Sequence, residues 1–179
     1  GIAKSEEEMQ AHLSSLPKGG QEAIGSKWSA GDIMYRDLNG DGKISKGAST
    51  LDDHGDLKVI GNSTPRYFFG IDLNADWKGF DVRLFFQGVM KRDYWGKDNF
   101  CGYLFGARGD KDMWHARGLV EHQDYFRAQA IGIDGHELPA NLDAYYPRPV
   151  FKEGAKNQET QSRYLQDASY IRLKNFQLG

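Results

Sequence analysis

The sequence predicts a mainly β chain, with antiparallel strands of membrane-spanning length and long, partly helical connections. Three observations point there. Residues 66–90 alternate apolar and polar side chains on both sides of a Lys78-Gly79 turn. Apolar residues make up only 39% of the 179, yet aromatics reach 13% and glycines number 22. That balance suits alternating strands and ordered loops better than helices around a packed core. No helical period is sustained through the middle of the chain.

In the hairpin, Tyr67, Phe69, Ile71, Leu73, Ala75 and Trp77 fall on one face. Arg66, Phe68, Gly70, Asp72, Asn74 and Asp76 fall on the other. A period of two separates these sets across a strand. After the turn, Phe80, Val82, Leu84 and Phe86 continue the apolar face. Asp81, Arg83 and Gln87 continue the polar one, with Phe85 among them. Each arm runs for roughly ten residues, the length of a membrane-spanning β-strand. A soluble strand averages about five or six. Aromatics gather at the ends of the apolar face, as in the girdles of membrane barrels. The pattern alone also fits a long amphipathic hairpin in a soluble sheet.

Charge and cysteine content narrow the possible functions. Net charge is −2, and no Lys/Arg-rich run suggests a nucleic-acid partner. Mean hydropathy is −0.67, and no apolar run reaches the length of a transmembrane helix. That length rule leaves barrel strands open, since they are only half apolar. Cys101 is the single cysteine, so no disulfide can close within the chain. Residues 1–10 are charged and lack the apolar centre of a signal peptide. The chain stops at Gly179 inside a strand-like pattern, so we expect it to be a piece of something longer.

Four segments are expected: a loop region with a helix and a calcium-type loop (1–63), the hairpin (64–90), a long loop region (91–166) and a further strand (167–179). Ser5-Glu6-Glu7-Glu8 has the S-x-x-E form of a helix start. Met9, Leu13 and Leu16 follow at helical spacing, and Pro17 and Gly19-Gly20 end the pattern. A short strand is expected at 31–36. It leads into Asp37-Leu38-Asn39-Gly40-Asp41-Gly42-Lys43-Ile44, which matches the first part of a calcium loop. Oxygen side chains at alternate positions converge on one hard cation. Gly42 permits the sharp turn, the Lys43 carbonyl is the next ligand, and Ile44 anchors the loop. The twelfth position is Ala48, which cannot ligate, so Asp52 or Asp53 is expected to complete a structural Ca²⁺ site. The alternative is an Asx-rich turn without metal.

Residues 91–166 are rich in glycine and aromatics, which a disordered linker lacks. A folded loop region with short helices is expected, one near 109–120. Trp95, Trp114 and Tyr125 are candidate ligand contacts, because aromatics beside Asp, Asn and Arg stack on sugar rings. For most aromatics of this region a role in the loop's own small core is the simpler expectation. Ser169 to Lys174 alternates again, breaks near Asn175 as at a bulge, and resumes with Phe176 and Leu178. The sequence carries no H-E-x-x-H, G-x-S-x-G or P-loop, and no acid/base pair of a glycosidase can be picked out. We expect no enzyme.

Several stretches resemble SusC-like, TonB-linked outer-membrane transporters. They are Gly31-Asp32-Ile33 through Ile44, with Thr50 to Asp53 and Ile60 to Tyr67; Lys78 to Val89; and Ser162 to Asn175, with Leu178-Gly179. Asn141 to Arg148 is a weaker match. The resemblance implies a piece from the C-terminal half of a transmembrane barrel in the outer membrane of a Gram-negative bacterium, bordered by lipid. It implies import of oligosaccharides or peptides under a SusD-like lipoprotein lid, driven by TonB through a region absent here. It also supports Ca²⁺ at Asp37, Asn39, Asp41 and Asp53. A soluble calcium-stabilised carbohydrate-binding or adhesin module is the alternative. It explains the calcium-type loop and the aromatics, but not two long alternating strands.

Overall fold

A computed structural model describes residues 1–96, 120–133, 135–150 and 154–179. It is mainly antiparallel sheet, with one α-helix, α1 (Glu6–Ser14), and seven strands among the described residues. These are β1 (Tyr67–Trp77), β2 (Phe80–Met90), β3 (Asp93–Trp95), β4 (Ile131–Ile133), β5 (His136–Leu138), β6 (Leu165–Asp167) and β7 (Tyr170–Leu178). The chain divides into two compact units. One holds residues 1–59 and 97–160, the other 60–96 and 161–179.

The second unit is built on a three-stranded sheet in the order β1-β2-β7. β1 and β2 pair without interruption from Tyr67↔Met90 to Trp77↔Phe80. Lys78 and Gly79 close the hairpin with φ of 47° and 88°, the two left-handed residues of a type I′ turn. β7 pairs with β2, but Phe85↔Asn175 is followed by Phe86↔Leu173, so Lys174 is the extra residue of a bulge. The bulge returns Leu173 to the face that carries Phe176. Without it, one of the two would point to the opposite side. The aromatic Phe85 on the polar face has a local cause. Its ring lies against Gly70, where an added Cβ would sit 3.1 Å from it. On the apolar face the Phe69 ring covers Gly88 in the same way. Beyond the end away from the turn, β3 and β6 form a short antiparallel pair. Asp93 accepts the Asn62 N–H through its carboxylate (2.8 Å) and donates its own N–H to the Asn62 carbonyl (2.9 Å). The approach to β1 is thereby tied to β3.

The first unit is held by small clusters. Ser5 caps α1, its hydroxyl accepting the Glu8 N–H, while Glu8 reaches back to the Lys4 N–H at 2.6 Å. The helix buries Met9 against Ala3 and Trp28, with Leu13, Ile24, Met34 and Tyr35 around them. Ile2, Ile33, Phe126 and Ala144 form a second cluster.

The strand expected at 31–36 does not form. Only an isolated bridge, Ile2↔Ile33, survives. The backbone of residues 1–3 bonds to Gly31, Asp32 and Met34, but side chains take the backbone groups of Ile33 and Tyr35: Asn157 Oδ1 accepts the Ile33 N–H, Gln21 Nε2 donates to the Ile33 carbonyl, and Gln21 Oε1 accepts the Tyr35 N–H. A buried backbone group needs one partner and does not require it to come from a ladder. The helix expected near 109–120 lies outside the described residues, except for a 3₁₀ turn that begins at Val120.

Candidate functional site

The sheet of the second unit is amphipathic, and its apolar face is uncovered. Tyr67, Ile71, Leu73, Trp77, Phe80, Met90, Ile171, Leu173, Phe176 and Leu178 are all exposed, Leu178 at 64%. The register puts them together, since Ile71↔Phe86↔Leu173 and Leu73↔Leu84↔Phe176 are rows across the three strands. A contiguous apolar surface of this kind marks a partner or a membrane. The other face carries Asp72, Asn74, Asp76, Asp81, Arg83, Gln87, Arg172, Asn175 and Gln177. There Arg83 grips Asp72 with two hydrogen bonds, Nε to Oδ1 at 3.1 Å and Nη2 to Oδ2 at 2.6 Å. Among the described residues, no helix is long and apolar enough to cross a membrane.

The Asp37 loop closes on itself. Asp37 Oδ1 accepts the Gly40 N–H at 2.6 Å and Oδ2 the Gly42 N–H at 2.8 Å. Asn39 accepts from Asp41, and Asp41 from Lys43. Gly42 has φ +83°, as the sharp turn requires, and Ile44 is buried as the anchor. The Gly42 N–H first, then the Gly40 and Asp41 N–H groups and the Asp56 side chain, hold the Asp37 carboxyl below its ordinary range, against a smaller opposing effect of burial.

The carboxylate that joins the loop is Asp56. It takes the Leu38 N–H at 2.7 Å and the Ser45 N–H at 2.8 Å. Asp53 instead serves the next turn, where its Oδ2 accepts the Ala48 N–H and its own N–H donates to Thr50. Asp52 is exposed. Among the described residues, no three His, Cys, Asp or Glu side chains converge as a metal-holding group. A cation here would lean on the adjoining Asp37 and Asp56, on Asn39 and Asp41, and on the Lys43 carbonyl. Each of these oxygens keeps lone pairs beyond its hydrogen bonds, so the donor chemistry fits a hard cation.

Of the aromatic candidates, Trp95 is half-buried and tilted against Tyr164, with ring centroids 6.3 Å apart. Its ring packs on the buried Tyr164. Tyr125 is half-buried over the Arg127 guanidinium, 4.7 Å from ring to charge. Arg127 is itself fixed by the carbonyls of Pro139 and Gln123. Trp114 lies outside the described residues. Phe126, Tyr146 and Tyr164 are buried, and Phe126 packs with Ile2 and Ile33 as well as Ala144, so its core is shared with the start of the chain and is not the loop's alone.

A buried ion network in the first unit has no counterpart in the sequence reading. Asp32 receives Arg148 through Nε and Nη2, both at 2.9 Å, Lys156 at 2.8 Å and Asn157 at 2.9 Å. Lys156 also donates to the Ser26 and Lys27 carbonyls and lies over the Trp28 ring. Burial pushes the Asp32 carboxyl up, but the hydrogen bonds from Arg148, Lys156 and Asn157 together hold it below its ordinary 3.8. The partners lie 116 to 125 residues apart in sequence, beyond the reach of any spacing rule.

The chain is related to TonB-dependent receptors along most of its length. It is 28% identical over 168 residues to TonB-dependent receptor P3 of Formosa agariphila, covering 92% of this chain and 13% of that protein. With TonB-dependent receptors P39 and P26 of the same organism it shares 26% over 149 and 158 residues, 83% of this chain and 12% of each receptor. The chain thus spans about an eighth of the length of these curated relatives. No protein-family model matches it, and no solved structure does.

Proposed function

We propose that this chain is part of the transmembrane barrel of an outer-membrane TonB-dependent transporter, and that β1, β2 and β7 are three adjacent spanning strands. The observation that carries the reading is the uncovered apolar face. Ten steps along β1 cover about 34 Å. At the usual barrel tilt this becomes a band about 26 Å tall, against about 25 Å for the apolar band of such barrels. The polar face, with charges of both signs, suits a wet lumen. The relation to TonB-dependent receptors supports the same reading. The short Lys78-Gly79 turn would be periplasmic and the long connections extracellular.

The transporter would import oligosaccharides or peptides beneath a SusD-like lipoprotein, with TonB acting through another part of the protein. The full-length protein should fractionate with the outer membrane, and recovery in a soluble fraction would contradict the proposal. Cargo or lid contact would fall to the long connections, since loops can vary without disturbing the ladder. Tyr125 is held by a fixed cation and is the better placed of the two described aromatics. Tyr125→Ala should lower uptake with the protein still in the membrane, whereas Trp95→Ala should lower its folded amount. The reverse result would exchange their roles.

The Asp37 loop would bind Ca²⁺ as a structural tie. Two adjoining carboxylates repel unless a cation or proton lies between them, and the amide and carbonyl oxygens around them suit calcium. Calorimetry should detect one site, and anomalous scattering should place its oxygen ligands at roughly 2.3–2.6 Å from the ion. Asp41→Ala and Asp56→Ala should each weaken it strongly, and Asp53→Ala much less. Equal losses at Asp53 and Asp56 would restore Asp53 to the ligand set.

A further inference from the structure

We propose that Lys78 and Lys91 are contacts for lipid phosphate, one at each surface of the membrane, and that they fix the depth of the sheet. The inference rests on the reading that the apolar face meets lipid. Each lysine directly follows the last residue of a strand, Lys78 after β1 and Lys91 after β2. Both have left-handed backbone, with φ of 47° and 52°. Residues with a Cβ avoid that region, and Gly or Asn is its usual occupant. A side chain kept there at a conformational cost points to a role for that side chain.

Both ammonium groups fold back over an aromatic of the apolar face. Lys78 Nζ stands 4.9 Å from the Trp77 ring centroid, and Lys91 Nζ 5.8 Å from that of Tyr67. Tyr67 and Trp77 are the two ends of β1, so the pairs are separated by the full height of the apolar band. An exposed ring at the edge of hydrocarbon with a cation over its face is an amphipathic pair. Neither ammonium pairs with a carboxylate among the described residues. Its charge complements the anionic phosphates that lie just outside the hydrocarbon at each surface.

The test uses the full-length protein in vesicles of phosphatidylglycerol and phosphatidylcholine. Phosphatidylglycerol retained on the purified protein is measured, and a dye on Leu73→Cys in a cysteine-free background reports quenching by brominated acyl chains. Lys78→Ala and Lys91→Ala should each lower phosphatidylglycerol retention by about five-fold, and Lys78→Arg and Lys91→Arg should restore it. The dye should be quenched in every variant. Unchanged retention with the dye quenched would overturn the phosphate contacts and leave the membrane reading standing. A dye that is never quenched would overturn both.

Discussion

With the apolar face against lipid as proposed, Ile71→Arg will cost about 2–4 kcal/mol of stability, while Asn74→Arg, three residues along the same strand, will cost far less. Ile71 is at the middle of the apolar face, opposite Phe86 and in one row with Leu173. A guanidinium there would have to enter hydrocarbon near the midplane, where charged substitutions carry that cost. Asn74 is on the polar face, opposite Arg83, where water reaches the new charge. The comparison holds strand position, residue size and charge nearly constant and changes only the side of the sheet. Denaturant titration of the full-length protein in lipid vesicles measures both. Equal costs would mean that both faces see the same solvent.

Asp32→Asn should destabilise the first unit by about 3–5 kcal/mol, the range for removing one partner from a buried pair. The substitution keeps the shape and removes the charge. Arg148 and Lys156 would then face an amide, and Lys156 is buried almost completely. Lys156→Met should cost less, since Asp32 would retain Arg148 and Asn157. Protection of the Ala3 and Ile33 amides against hydrogen exchange is the readout, because Ala3 donates to the Asp32 carbonyl and Ile33 to Asn157.

The same carboxylate sets an acid limit. Its pKa is lower folded than unfolded. Its contribution is therefore fully present above the unfolded value and is lost as pH falls through the folded one. Protection should be constant near neutrality and begin to fail below about pH 4. In Asp32→Asn that step should disappear. A step at the same pH in the variant would assign the acid limit to other carboxylates.

The hairpin was legible because a period of two needs no tertiary information. The alternation of residues 66–90 and the Lys78-Gly79 turn set both strands and their register. Ser5 and Glu8 marked the start of α1 for a similar reason, since a cap is a local contact. Four features escaped. The segment 31–36 has the composition of a strand, but only residues 1–3 pair with it, while the Gln21 and Asn157 side chains take the backbone groups of Ile33 and Tyr35. Asp53 is nearer in sequence than Asp56 to the expected twelfth loop position, yet the turn around Thr50 claims it. Asp32 falls in the segment expected as a strand, and no local pattern marks it as the centre that Arg148, Lys156 and Asn157 fold around. Phe85 looked like a defect in the polar face and is instead the cover of Gly70. Except at Asp53, which its own short turn claims, the deciding contact crosses strands or long stretches of chain.

The account depends most on which side of the sheet meets lipid. Single cysteines placed in turn from Tyr67 to Trp77 in the full-length protein, probed in lipid vesicles with a water-soluble thiol reagent, measure this directly. Positions 68, 70, 72, 74 and 76 should react, and 69, 71, 73 and 75 should be protected. Uniform reaction along the whole strand, with Ile71 and Leu73 as open to water as Asp72 and Asn74, would contradict a membrane-spanning sheet.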